Sequence, residues 1–195
     1  TSVIGAYNED SSENTITNGA TASNNNGITD SGAAYVFVRS GSSWTQQAYL
    51  KAPNAGGSDY FGIAASISGD TIVIGAYNED SSQSKVTNGA AGSNDNSATD
   101  AGAVYVYVRT GIAWIEQAYL KAANAGASDN FGYAVSISGD MIVVGARYED
   151  SSQTTISNGP TGSSDNAVSN AGAAYVFVRS GSTWTQQAYL KASNP

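Results

Sequence analysis

The stretch Phe131-Gly132-Tyr133-Ala134-Val135-Ser136-Ile137-Ser138-Gly139-Asp140-Met141-Ile142-Val143-Val144-Gly145-Ala146 decides the fold. Residues 131–137 read as a strand that opens on a Phe-Gly pair. Ser138-Gly139-Asp140 is a tight turn in which glycine takes a positive φ at no steric cost. Residues 141–146 are continuously apolar and rich in β-branched side chains, the pattern of a strand covered on both faces.

Working outward, residues 173–179 form a third run. In it Ala174, Val176 and Val178 share one face, and Tyr175, Phe177 and Arg179 the other. Ser180-Gly181-Ser182 turns the chain into a fourth run, residues 184–191, whose polar alternation suits an outer edge strand. This four-run unit recurs. Ile4-Gly5-Ala6-Tyr7-Asn8-Glu9-Asp10-Ser11-Ser12 returns at 74–82 and again, with Arg147 and Tyr148, at 144–152, an offset of 70 each time. Trp44, Trp114 and Trp184 keep the same offset, as do Tyr35, Tyr105 and Tyr175.

The chain is therefore read as three repeats, residues 1–60, 61–130 and 131–195. Its fold class is all-β: tandem four-stranded antiparallel blades of a β-propeller. An open β-repeat array or filament is the alternative. One blade cannot bury both faces, so neighbours must stack. Ile74, Val106, Val143, Val144, Val176, Val36 and the rings of Phe61 and Phe131 are the expected core. The pattern starts at a second strand and stops before a first one. On this reading the missing neighbour comes from a longer chain or from a second copy, so self-association is expected.

Composition narrows the function classes. Apolar residues make up 41% of the chain, enough for a packed core, while charged residues are only 12%, well below the usual quarter. A surface dressed in Ser, Thr, Asn and Gly fits an extracellular or cell-surface protein. The net charge of −8 repels phosphate backbones and argues against nucleic acid as a partner. No apolar stretch approaches the ~18 residues of a membrane span. There is no Cys and no His, which removes disulfides, thiolate metal sites and the commonest general base. Paired carboxylates such as Glu79 and Asp80 recur in each repeat, whereas a catalytic pocket needs distinct roles. The chain is read as not an enzyme.

Three segments carry a family resemblance. Residues 61–70, Phe-Gly-Ile-Ala-Ala-Ser-Ile-Ser-Gly-Asp, lead to Ile72-Val73-Ile74-Gly75-Ala76 and then to Gly102-Ala103-Val104-Tyr105-Val106-Tyr107. The first and third units close on Trp-Thr-Gln-Gln-Ala-Tyr-Leu-Lys-Ala, and the middle one differs there only at Ile115 and Glu116. The whole chain resembles the FG-GAP repeat family, in the version found in large bacterial surface and secreted proteins. The resemblance implies a β-propeller akin to the head of integrin α chains, with an adhesive or recognition role toward a glycan or protein ligand. The Pro of the family's Gly-Ala-Pro is replaced by Tyr7, Tyr77 and Arg147. The calcium loop common in integrin-type repeats has shrunk to Ser68-Gly69-Asp70 and Ser138-Gly139-Asp140, so that site does not carry over.

The long link at residues 78–101 is the place for chemistry, since structureless loops of such length are uncommon and often functional or mobile. Its carboxylates and amides are of the kind Ca²⁺ takes in sets of six to eight. The candidate metal ligands are Asp80, Asp95 and Asp100, with Asp10 and Asp30 in the first repeat and Asp150 and Asp165 in the third. Against a bound cation stands turn capping by Asp and Asn. Asn18-Gly19, Asn88-Gly89 and Asn158-Gly159, between β-prone flanks, read either as small projecting hairpins or as flexible polar loop. The three Trp read as packing against the next unit, with stacking on sugar rings as the alternative.

Overall fold

The computed structural model describes residues 1–90 and 92–194; Ala91, inside the long link of the middle repeat, and Pro195 lie outside the described residues. The first sheet holds β1 (Ser2–Ala6), β2 (Thr17–Asn18), β3 (Ala33–Ser40) and β4 (Ser43–Leu50), in the spatial order β1-β3-β4-β2. The second holds β5 (Ala64–Ser68), β6 (Thr71–Ala76), β7 (Thr87–Asn88), β8 (Ala103–Thr110) and β9 (Ala113–Leu120), in the order β5-β6-β8-β9-β7. The third holds β10 (Phe131–Ser138), β11 (Met141–Ala146), β12 (Ser157–Asn158), β13 (Ala173–Ser180) and β14 (Thr183–Leu190), in the order β10-β11-β13-β14-β12. All pairs between these strands are antiparallel, and no helix occurs among the described residues. The chain is an all-β stack of three propeller-like blades.

The alternation along β8 sets the packing. Tyr105 and Tyr107 face the first sheet, in a cluster with Val36, Ala48, Leu50, Phe61, Ile72, Ile74 and Trp114. Val104 and Val106 face the third, in a cluster with Val73, Leu120, Phe131, Ile142, Val144, Tyr175, Phe177 and Trp184. Each blade thus offers an aromatic face backwards and an aliphatic face forwards. Every residue of β6 is buried, as expected for a strand covered on both sides. A bulge between Val106 and Tyr107 recurs at Val36/Phe37 and Val176/Phe177 and tightens the twist of each blade.

The junctions are also locked by hydrogen bonds. Asn88 Nδ2 donates to Trp184 O (3.2 Å) and Asn88 Oδ1 accepts from Trp184 N (2.7 Å). Asn18 and Trp114 make the same pair at 3.2 and 2.7 Å. The indole Nε1 of Trp114 donates to Gln47 (2.9 Å) and that of Trp184 to Gln117 (2.8 Å). Backbones meet where Gly75 faces Gly132: a Cβ on Gly75 would overlap the Gly132 carbonyl oxygen, so only glycine fits.

Several expectations are corrected. Each sheet has an additional two-residue outer strand, the fifth in the second and third sheets and the fourth in the first: β7 pairs with β9 through Thr87↔Tyr119 and Asn88↔Ala118. The Asn-Gly segments are therefore neither projecting hairpins nor free loop: each pairs with the outer long strand of its own blade, and the side chains of Asn18 and Asn88 are spent on the next blade. The fourth run is consequently covered at its C-terminal end and remains the sheet edge along its first half. Val143 is 37% exposed and Val176 half-buried, because they lie on the forward face of the third blade, against which no further blade packs. Ile74, Val106, Val144, Val36, Phe61 and Phe131 are buried.

Candidate functional site

The long links are pinned rather than loose. Glu79 Oε2 pairs with Lys121 Nζ at 3.0 Å, the two side chains being 2% and 0% exposed. Lys51–Glu9 (3.0 Å) and Lys191–Glu149 (2.8 Å) repeat the pair in the outer blades. A second anchor crosses between blades. Asn54, on the segment entering the middle blade, donates Nδ2 to Glu79 (2.9 Å) and to Ser93 O (2.7 Å), and accepts from the Tyr105 hydroxyl (2.7 Å). Asn124 does the same with Glu149, Ser163 and Tyr175 at 2.9, 2.7 and 2.8 Å.

Each acidic candidate is placed by these loops. Asp10, Asp80 and Asp150 accept from the backbone N–H of Asp30, Asp100 and Asn170 at 2.8, 2.8 and 2.7 Å. Asp95 accepts from Ser82 N (2.9 Å), Ser82 Oγ (2.6 Å) and Ser97 N (3.1 Å). Asp165 repeats this with Ser152 and Ala167, and Asn25 stands in the same place in the first blade. Asp30 and Asp100 contribute a backbone with positive φ, 53° and 55°. Among the described residues no three acidic side chains gather as metal ligands. The Ser-Gly-Asp turns do not fit a calcium loop either, since Asp70 and Asp140 are held by Arg109 and Arg179.

Electrostatics follow burial. The Lys121 ammonium is pulled down by desolvation, an effect the Glu79 carboxylate opposes. Asp59 and Asp129 sit on the segments between blades. Burial pushes both carboxyls up to about 7; the Gly56 and Gly126 N–H groups ease the shift, and nearby Glu79 and Asp80, or Glu149 and Asp150, add to it. Asp95, exposed but bonded by Ser82, is held down at about 2.

On one rim, where β1, β6 and β11 end, aromatic rings run across the blades. Tyr7 meets Tyr60 edge-on (6.1 Å between centroids), Tyr60 stacks on Tyr77 (5.4 Å), and Tyr77 meets Tyr133 edge-on (5.7 Å). Arg147 then lies over Tyr133 (4.0 Å), Tyr148 (4.3 Å) and Tyr77 (5.3 Å). Tyr7, Tyr133 and Tyr148 are exposed. Trp114 and Trp184 are wholly buried at the junctions, and Trp44 is 53% exposed on the rear face of the first blade.

Sequence reasoning did not find the Lys–Glu pairs or the tyrosine rim. The first had a signal: Glu9/Lys51, Glu79/Lys121 and Glu149/Lys191 keep a constant spacing of 42 residues. The second is assembled from three turns, one linker and the start of β10, and no window of sequence contains it.

In comparisons with known proteins, the family model for the FG-GAP repeat matches residues 44–107 and 114–177. Each match runs from the outer long strand of one blade to the third strand of the next, so the matched unit straddles a junction. No curated protein matches the chain.

Proposed function

The chain belongs to the FG-GAP repeat family, and from that premise we propose that it is a non-catalytic recognition module of an extracellular or cell-surface protein, binding a glycan or protein ligand. The observation that carries the reading is the tyrosine rim. It crosses both junctions on one edge of the stack, and rigid aromatic side chains with a polar tip are favoured at binding surfaces. The pinned loops support it, because a preorganised surface loses little entropy on binding. The weakly charged, Ser/Thr/Asn-rich exterior supports an extracellular location. No helix among the described residues is long and apolar enough to cross a membrane.

A glycan array and adhesion to immobilised matrix protein test this reading. The parent chain should bind, and Tyr7→Ser/Tyr60→Ser/Tyr133→Ser should lose binding at least tenfold with its fold intact. Equal binding by that variant sinks the rim as the contact surface.

A self-assembling structural role is the second reading, favoured by a specific observation. Ile4 and Trp44 on the first blade, and Met141 and Val143 on the third, are exposed at positions whose counterparts in the middle blade are buried at junctions. Calcium at the loop carboxylates is a separate proposal. An ion there would share the carboxylates of Asp80 and Asp95 with the backbone N–H groups they now bond. A melting temperature raised by Ca²⁺ and restored by chelator would establish it; no change would leave these residues as turn caps.

A further inference from the structure

The rim is uniform except at the second junction, where four neighbouring positions change chemical type together. Asn130 stands where the repeat before it has Tyr60, Tyr133 where it has Ile63, Arg147 where it has Tyr77, and Tyr148 where it has Asn78. Dispersed in sequence, the four converge in space. Arg147 lies against the rings of Tyr133 and Tyr148, and its Nε donates to Asn130 Oδ1 at 3.0 Å. Asn130 is itself buried and fixed, its Nδ2 donating to Asp100 O (3.2 Å), Tyr77 O (3.3 Å) and Asn78 Oδ1 (3.4 Å).

The guanidinium is thus aimed but not consumed. Among the described residues no carboxylate pairs with Arg147, and its two terminal nitrogens make no hydrogen bond. Arg109 and Arg179, by contrast, hold Asp70 and Asp140. A planar fork with free donors, locked by rings and an amide, matches a carboxylate bidentately. The net charge of −8 disfavours a small anion arriving by long-range attraction. Short-range contact must contribute, and the exposed parts of Tyr133 and Tyr148 supply it to a ring with C–H faces.

We propose that Arg147, oriented by Asn130 and flanked by Tyr133 and Tyr148, is a binding site for the carboxylate of an acidic saccharide, a uronic-acid residue. The site rests on the recognition reading and gives it a ligand class. Calorimetric titration of the full chain with a galacturonate oligosaccharide, its methyl ester and sodium sulfate tests it. The acid should bind, the ester and sulfate at least tenfold more weakly. Arg147→Tyr, which restores the residue of the first two blades and so keeps the fold, should lose at least tenfold in affinity for the acid. Arg147→Lys should lose most of that as well, because it keeps the charge and not the fork. Asn130→Ala should weaken the acid without creating affinity for the ester.

Ester bound as tightly as acid, sulfate bound as tightly as acid, or Arg147→Tyr indistinguishable from the parent would each overturn the site. If neutral glycans or a protein bind through the rim and Arg147→Tyr leaves that unchanged, recognition stands and the acid site falls. If no saccharide binds, the acid site falls, and the adhesion assay on the rim variant decides the recognition reading by itself.

Discussion

Lys121 and Glu79 form an ion pair that water hardly reaches, so the two must be judged together. Removing one partner from such a pair leaves a buried charge uncompensated and costs about 3–5 kcal/mol. Lys121→Met should therefore destabilise the chain by that amount in urea. Lys121→Met/Glu79→Gln should recover part of the loss, because Gln removes the unpaired charge and its one carbonyl oxygen still serves either Asn54, which uses Oε1, or Ser81, which uses Oε2. A double variant no better than the single would mean that the pair is not what holds the link. Asp59 and Asp129 make a prediction of opposite character. Their folded carboxyls are raised to about 7 from an ordinary 3.8, so the folded state keeps protons that the unfolded chain releases. The contribution of these groups is fully favourable below pH 4, is lost as pH rises through 7, and changes no further above that. Stability should be higher at pH 5 than at pH 8, and Asp59→Asn/Asp129→Asn should shrink that difference by at least about 1 kcal/mol. Asp95 titrates near 2 and lies outside the window. Little of this residue-level detail was legible beforehand. The loop acids were visible as oxygen donors, but whether a carboxylate meets an ion or the N–H of a residue 20 positions away depends on how the link folds back.

At the scale of elements, the same residue in different blades has different neighbours, and this gives internal controls. Trp114 is buried against the first blade and Trp44 is 53% exposed. Trp114→Ala should cost about 3–5 kcal/mol, and Trp44→Ala well under about 1 kcal/mol. Likewise Asn88 ties β7 to the backbone of Trp184, whereas Asn158, at the same position of the third blade, makes no such bond among the described residues. Asn88→Ala should lose about 1–2 kcal/mol and Asn158→Ala almost nothing, as read by urea melts. Equal costs within either pair would contradict the stacking. The long strands were legible because hydrophobic alternation and the Gly-centred turns coincide at every repeat: the run at 141–146 is β11, and the faces assigned to Val176 and Phe177 are the faces observed. Two things escaped. The outer two-residue strands have no periodicity, so Asn88-Gly89 looked like a hairpin tip. Burial of Val143 was expected from its sequence, yet burial on a blade face belongs to the neighbour that covers it.

At the scale of the molecule, the two outward faces are of opposite kinds. The rear of the first blade shows Ile4 and Trp44 beside Phe37 and Ser2, and the front of the third shows Met141 and Val143 beside Val176 and Val178. These are the aromatic and aliphatic surfaces that meet at both internal junctions, where Trp184 packs in a cluster with Val106 and Leu120. A front face therefore has a ready partner in a rear face, whether another blade of the same polypeptide or a second copy presents it. Contact between copies would be head-to-tail, which closes into a ring or propagates as a filament. The polar staple is half-prepared as well, since Asn158 and Gln187 occupy the positions of Asn88 and Gln117, so the backbone of a docked Trp44 would meet Asn158 and its indole Nε1 would donate to Gln187. Sedimentation velocity of this chain at rising concentration should show a shift from monomer to larger species. Trp44→Ser/Ile4→Ser should abolish the shift, and so should Val143→Asp on the opposite face, while each variant remains folded. Mixing a rear-face variant with a front-face variant should restore dimers and nothing larger, because only one intact face of each kind remains in the mixture. A chain that stays monomeric at millimolar concentration would show that these faces, though matched in kind to the internal junctions, do not bind each other without a covalent link.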